Sequence, residues 1–155
     1  MQDKNVKRLW NTNTKKFIKD FAILQTVNSD GNIEHTYFER NSKTLELERL
    51  STCHIEEINC SGLKDKYGKL IYEGDIVKYF CPAEYCSDGV HKCPECYSGE
   101  NGSVHYDEDL AMYEYRSKSD ECPLTDNINT EEDLEIIGNI YENPELLKDG
   151  EQTWI

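Results

Sequence analysis

The sequence predicts a mainly β protein, and three observations carry that prediction. Short segments in which apolar and polar residues alternate recur along most of the 155 residues. Those segments are rich in β-branched and aromatic side chains, with Tyr alone counted 10 times. Turn-forming Gly, Asn and Asp punctuate them, while helical signals are short and late. The length fits a single domain over residues 1–155. A hydrophobic content of 37% gives it a modest core, which an embedded metal or an oligomer interface would support.

Taken in order, Phe21–Val27 and Asn32–Phe38 read as a hairpin across Asn28-Ser29-Asp30-Gly31, where Gly31 supplies the positive φ of the turn. Thr44–Glu48 alternates as a half-buried strand would, whereas residues 52–59 follow no single period. Lys64–Lys69 reads as a tight turn. Leu70–Tyr72 and Asp75–Phe80 then read as strands on either side of a Glu73-Gly74 break, with the Asp75 side chain placed to cap the bend. Val104–Tyr106 through Met112–Tyr115 is the expected return of a long hairpin that begins at Asp75. Thr130–Asp133 resembles a helix start, Glu135–Tyr141 a strand, and Asn143-Pro144 the cap and first position of a final helical turn.

Charge narrows the function. There are 31 acidic against 17 basic side chains, a net charge of −14. Residues 1–20 hold six basic and two acidic groups, and residues 122–155 one Lys against nine acids. Phosphate backbones are gripped by clustered Lys and Arg, so direct nucleic-acid binding is disfavoured and a basic protein surface is the better partner. Met1 to Asp20 lacks the apolar run of a secretory leader, and no stretch approaches the ~20 apolar residues of a membrane span. The expected compartment is a reducing cytoplasm, in which closely spaced thiols indicate metal before disulfide.

The strongest chemical signal lies between residues 81 and 96. Cys81-x4-Cys86 and Cys93-x2-Cys96 place four thiols within sixteen residues, with His91 between the pairs. Soft thiolates at such spacing suit tetrahedral zinc. Pro82 and Pro94 stiffen the turns after two of the ligands, and Gly89 lets the bridge reverse. The expected site is one structural zinc per chain on Cys81, Cys86, Cys93 and Cys96, with His91 the competing fourth ligand. A disulfide pair and simple reduced thiols are the other readings. Four thiolates leave no open position for water, which disfavours catalytic zinc. The loop from 81 to 104 carries one Lys against Glu84, Asp88, Glu95 and Glu100, the reverse of a nucleic-acid finger. Cys53, His54, Cys60 and Cys122 read as ordinary cysteines and histidine rather than a second site.

Two further blocks resemble a known family. Ser61-Gly62-Leu63-Lys64-Asp65-Lys66-Tyr67-Gly68-Lys69-Leu70-Ile71-Tyr72-Glu73-Gly74-Asp75-Ile76-Val77 is similar to the hallmark of the YopX proteins of phages and prophages, and Ile137–Leu147 to their C-terminal signature. Arg8-Leu9-Trp10-Asn11-Thr12-Asn13-Thr14-Lys15-Lys16 resembles their usual opening. The resemblance implies a β-rich fold around a small SH3-like barrel, homo-oligomers and a phage or prophage origin, and it transfers no catalytic residues. The cysteine-rich insertion, at about 81–104, is not part of that pattern. Cys60-Ser61 stands where family members often carry Thr before the Gly.

Catalytic readings are weak. Asp107-Glu108-Asp109 and Glu131-Glu132-Asp133 are consecutive acids, which usually decorate a surface, and His35 and His105 have no Ser or Cys partner readable nearby in sequence. The expectation is a non-catalytic, phage-encoded interaction protein that presents its metal-stapled loop to a protein partner such as a host factor. The alternatives are an acidic mimic that occupies the nucleic-acid site of a host protein, and a hydrolase or nuclease whose carboxylates converge only on folding. Removal of zinc by a chelator should loosen residues 81–104 and leave the β fold intact. Circular dichroism checks this, and global unfolding on chelation would refute a local staple.

Overall fold

The computed structural model describes residues 7–79, 101–118, 121–124 and 134–147. These residues are mainly β, with 3-10 turns at Thr52–His54 and Pro144–Leu147. The chain forms two compact units, Val6–Ile58 and Met1–Asn5 with Asn59–Ile155.

In the first unit, β1 (Lys7–Asn11) pairs antiparallel with β2 (Lys16–Ile18), setting Leu9 against Ile18. The turn between them is organised by the Asn11 side chain, whose Oδ1 accepts from the amides of Asn13 and Thr14, both at 3.0 Å. β3 (Phe21–Val27) and β4 (Ile33–Arg40) form the expected hairpin. Asn28 Oδ1 accepts from the amides of Asp30 and Asn32, and Gly31 takes φ +83°, a conformation that costs any other residue. Leu9, Ile18 and Tyr37 form the core, packed by Phe21, Ile23, Leu50 and Ile55.

The strand expected at Thr44–Glu48 starts later, as β5 (Leu47–Arg49) beside β4. The cause is Asn41, whose Oδ1 accepts from the amides of Lys43 and Thr44 and curls the chain. Leu45 then adopts φ +62°. Neither leucine of the alternating pattern is half-buried: Leu45 is 65% and Leu47 48% exposed.

β6 (Ile55–Lys64) passes from the first unit into the second. There its later part pairs with β7 (Leu70–Tyr72), through Cys60↔Tyr72 and Lys64↔Leu70. The remaining strands are β8 (Asp75–Tyr79), β9 (Asn101–Asp107), β10 (Met112–Arg116), β11 (Glu121–Pro123) and β12 (Leu134–Asn139), ordered β11-β10-β9-β8-β12 in one sheet. The hairpin partner of β8 is β9 alone, with Lys78 opposite Asn101, so the return begins at residue 101 rather than at Val104. Gly74 takes φ +78°, and Asp75 Oδ2 accepts from the Tyr72 amide at 2.9 Å, as the capped bend requires. Thr130–Asp133 lies outside the described residues. The turn opened by Asn143 is 3-10, with the Leu146 amide donating to the Asn143 carbonyl at 3.0 Å.

Ile71, Val77, Val104 and Leu134 are fully buried in this unit, closed by Tyr115 and Leu124. The Tyr115 ring lies flat over Gly102, where a Cβ would come within 2.1 Å of it. Replacing Gly102 by Ala should therefore cost about 1–3 kcal/mol, since a packed ring or the β9 backbone must move. Denaturant unfolding of G102A measures this, and a midpoint equal to wild type would show the ring to be free to swing away.

Candidate functional site

The expected zinc ligands Cys81, Cys86, Cys93 and Cys96, and the competing His91, lie outside the described residues. Their flanks are described: β8 and β9 are adjacent antiparallel strands, so the cysteine segment starts and ends at one hairpin base. Among the described residues no group of three or more His, Cys, Asp or Glu side chains is arranged to hold a metal ion. Cys53 is exposed, with its Sγ 3.0 Å from Ser51 Oγ. Cys60 is half-buried, with its Sγ directed at the Ile71 carbonyl at 3.8 Å. At the point where the chain departs from the family pattern, Ser61 Oγ donates to that same carbonyl at 2.7 Å and accepts from the Leu63 amide at 3.1 Å.

The hallmark block is an internal clasp. Asp65 is 2% exposed. Its Oδ1 accepts from the amides of Tyr67 (3.0 Å) and Lys69 (2.9 Å), which closes the turn, and Gly68 completes that turn at φ +77°. Its Oδ2 accepts from the Ile136 amide, 71 positions away, at 3.2 Å. The Lys66 amide donates to the Leu134 carbonyl at 2.9 Å, and Lys66 Nζ pairs with Glu135 at 2.7 Å. Further along, the Ile140 amide donates to the Gly74 carbonyl at 2.8 Å, and Tyr141 and Ile140 pack where a Gly74 Cβ would stand. Asn139 Oδ1 caps the following turn through the amides of Tyr141 and Glu142. Gly138 leaves room for Leu146 and Asn143. The hallmark block and the C-terminal signature thus meet in space.

The densest set of ionisable groups among the described residues was not legible in sequence. Glu57, on β6, is 16% exposed and accepts from three side chains. Lys7 from β1 donates to Oε2, while His35 Nδ1 (2.5 Å) and Tyr37 Oη (2.9 Å), both from β4, donate to Oε1. A carboxylate accepts only, so His35 Nδ1 carries the proton of that bond, and Nε2 faces the Gln25 amide nitrogen at 2.9 Å. Burial pushes the Glu57 carboxyl up, but the bonds from Lys7, His35 and Tyr37 outweigh it and hold the group below its ordinary value. Burial first, and then the Glu57 bond and charge, push the Tyr37 phenol up to about 12. In Ile55-Glu56-Glu57-Ile58 the two acids are indistinguishable by pattern, and Glu57 is the half-buried one while Glu56 is exposed.

The other sequence candidates resolve plainly. Asp107 Oδ1 accepts from the amides of Asp109 (2.8 Å) and Leu110 (3.0 Å), which makes it a turn cap. Glu131-Glu132-Asp133 lies outside the described residues. His105 does have a serine partner, which corrects the sequence reading: Ser103 Oγ is 2.8 Å from its Nε2. The pair is separated by two positions on β9 and so shares one face.

These features define an antiparallel β protein whose signature residues tie distant segments of its backbone together. The model of the family described as YopX protein matches residues 8–148, and the chain belongs to the YopX family. That match spans both compact units. The chain is similar to the crystal structure of protein EF1440 from Enterococcus faecalis, at 25% identity, covering 91% of this chain and 96% of that chain, with a TM-score of 0.49. No curated protein matches it.

The Glu57 network gives stability two pH limits. The Glu57 contribution is present above the ordinary value of 4.5 and is lost as pH falls through the lowered folded value. The Tyr37 contribution is complete below the ordinary 10.0 and is lost as pH rises toward about 12. Glu57→Gln should cost about 1–3 kcal/mol at neutral pH and flatten the acid limb. Thermal unfolding across a pH series reads both, and an acid limb unchanged in E57Q would assign it to other carboxylates.

Proposed function

We propose that the chain is a non-catalytic protein-interaction module of the YopX family, of phage or prophage origin. In this reading an SH3-like barrel carries a loop stapled by structural zinc on Cys81, Cys86, Cys93 and Cys96. The observation that carries it is the β8–β9 register, which joins both ends of the cysteine segment at one hairpin base. A ligand set contained in one hairpin holds a loop in shape with no help from the rest of the fold. Consistent with this reading, Asp65, Asp75, Asp107 and Glu57 all spend acceptor capacity on the protein's own amides or side chains.

Native mass spectrometry of protein purified without chelator should show one zinc per chain, lost in a C93S/C96S double variant whose circular dichroism is unchanged. Metal-free wild type would remove the staple. Capture of a specific host protein should depend on the bound zinc, and equal capture by the double variant would overturn presentation by the loop.

One observation favours a second reading, an acidic mimic of nucleic acid. Val6–Ile58 carries eight basic and eight acidic side chains, so the entire net charge of −14 belongs to the other unit, nine against twenty-three. A mimic's complex weakens steeply with salt, and a salt-insensitive complex excludes it.

A further inference from the structure

The sheet β3-β4-β5 has an open side. β3 is its outer strand, and the phase of its ladder is set by the bonds at both ends of the hairpin. The Arg40 amide donates to the Asp20 carbonyl and the Asn28 amide to the Asn32 carbonyl, both at 2.9 Å. Even-numbered residues of β3 therefore exchange bonds with β4, and the amides and carbonyls of Phe21, Ile23, Gln25 and Val27 face away from it. Among the described residues no strand pairs with them.

Open edges are normally blunted by charge, Pro or shortness. β5, the other edge, has three residues, two of them charged. β3 has seven, none charged and none Pro. It also exposes apolar side chains: Leu24 is 52% and Val27 70% exposed, with Ile33, opposite Val27, at 65%. Val6–Ile58 carries no net charge, so this unit adds no like-charge repulsion of its own to a pairing of two copies. An uncharged edge is complementary to an uncharged strand, and this chain contains one of matching phase.

We propose that β3 pairs antiparallel with β3 of a second copy of this chain, about a two-fold axis at Leu24. Full overlap of Phe21–Val27 selects this register, which sets Phe21 opposite Val27 and Ile23 opposite Gln25 of the second copy. All four are residues whose backbone groups face outward, so the pairs exchange about eight hydrogen bonds. Leu24 meets Leu24 of the second copy at a non-hydrogen-bonded position, where Cα atoms approach to about 4.5 Å and side chains touch most closely. Phe21 of the second copy stands directly opposite Val27, which is 70% exposed. The interface is isologous, and one sheet runs through both copies.

Sedimentation of the full chain across a concentration series tests the pairing. Wild type is expected to dimerise. Leu24→Lys places two ammonium groups on the axis, and Val27→Pro removes an outward amide while leaving the ladder with β4 intact. Each should raise the dissociation constant at least about tenfold. In the L24C variant, mild oxidation should link position 24 to position 24 of another chain, read by peptide mapping, which stands even if a substitution perturbs folding. A wild type that stays monomeric, assembly that neither substitution weakens, or oxidised L24C without the 24–24 link would each overturn it.

Discussion

A buried carboxylate, that of Asp65, holds the second unit of this protein together. A charge at that depth is tolerable only when its oxygens are filled with donors, and three backbone amides fill them. Two of the amides belong to its own turn and the third to β12. Local and long-range order are therefore set by one side chain: the turn cannot relax without freeing β12, and β12 cannot leave without stripping Asp65. The Gly74 bend, the Asp75 cap and the Asn139 turn repeat the principle on a smaller scale, each using a short polar side chain or a missing one to hold backbone.

Glu57 does in the first unit, through side chains, what Asp65 does through backbone. It draws donors from β1 and β4 onto β6, strands far apart in sequence and near in space. Polar joints of this kind suit a chain with limited apolar material, because a satisfied network specifies one arrangement where a small core alone would leave several.

Much of the fold was legible because its turns are written in residues with few alternatives. Asn28–Gly31, Lys64–Lys69 and Gly74-Asp75 each demand a conformation or a cap that their residue types supply, and the strands around them followed. Thr44–Glu48 departs from its alternating pattern because the Asn41 side chain curls the chain just before it. Ser103 with His105 was legible in principle, since two positions on a strand always share a face. Glu57 was not, because burial of one of two adjacent acids is decided by what folds onto it. Of the candidate site, the pairing of β8 with β9 supplies the hairpin base, while the cysteine spacing read from sequence lies outside the described residues.

The pair Lys78↔Asn101 closes a ladder that both strands complete without reference to what joins them. Loop closure costs little more for a long connection than for a moderate one, since the penalty grows only with the logarithm of length. Because Lys78 and Asn101 already stand opposite each other, lengthening or shortening the connection between them changes the cost of closing the β8–β9 ladder only slightly.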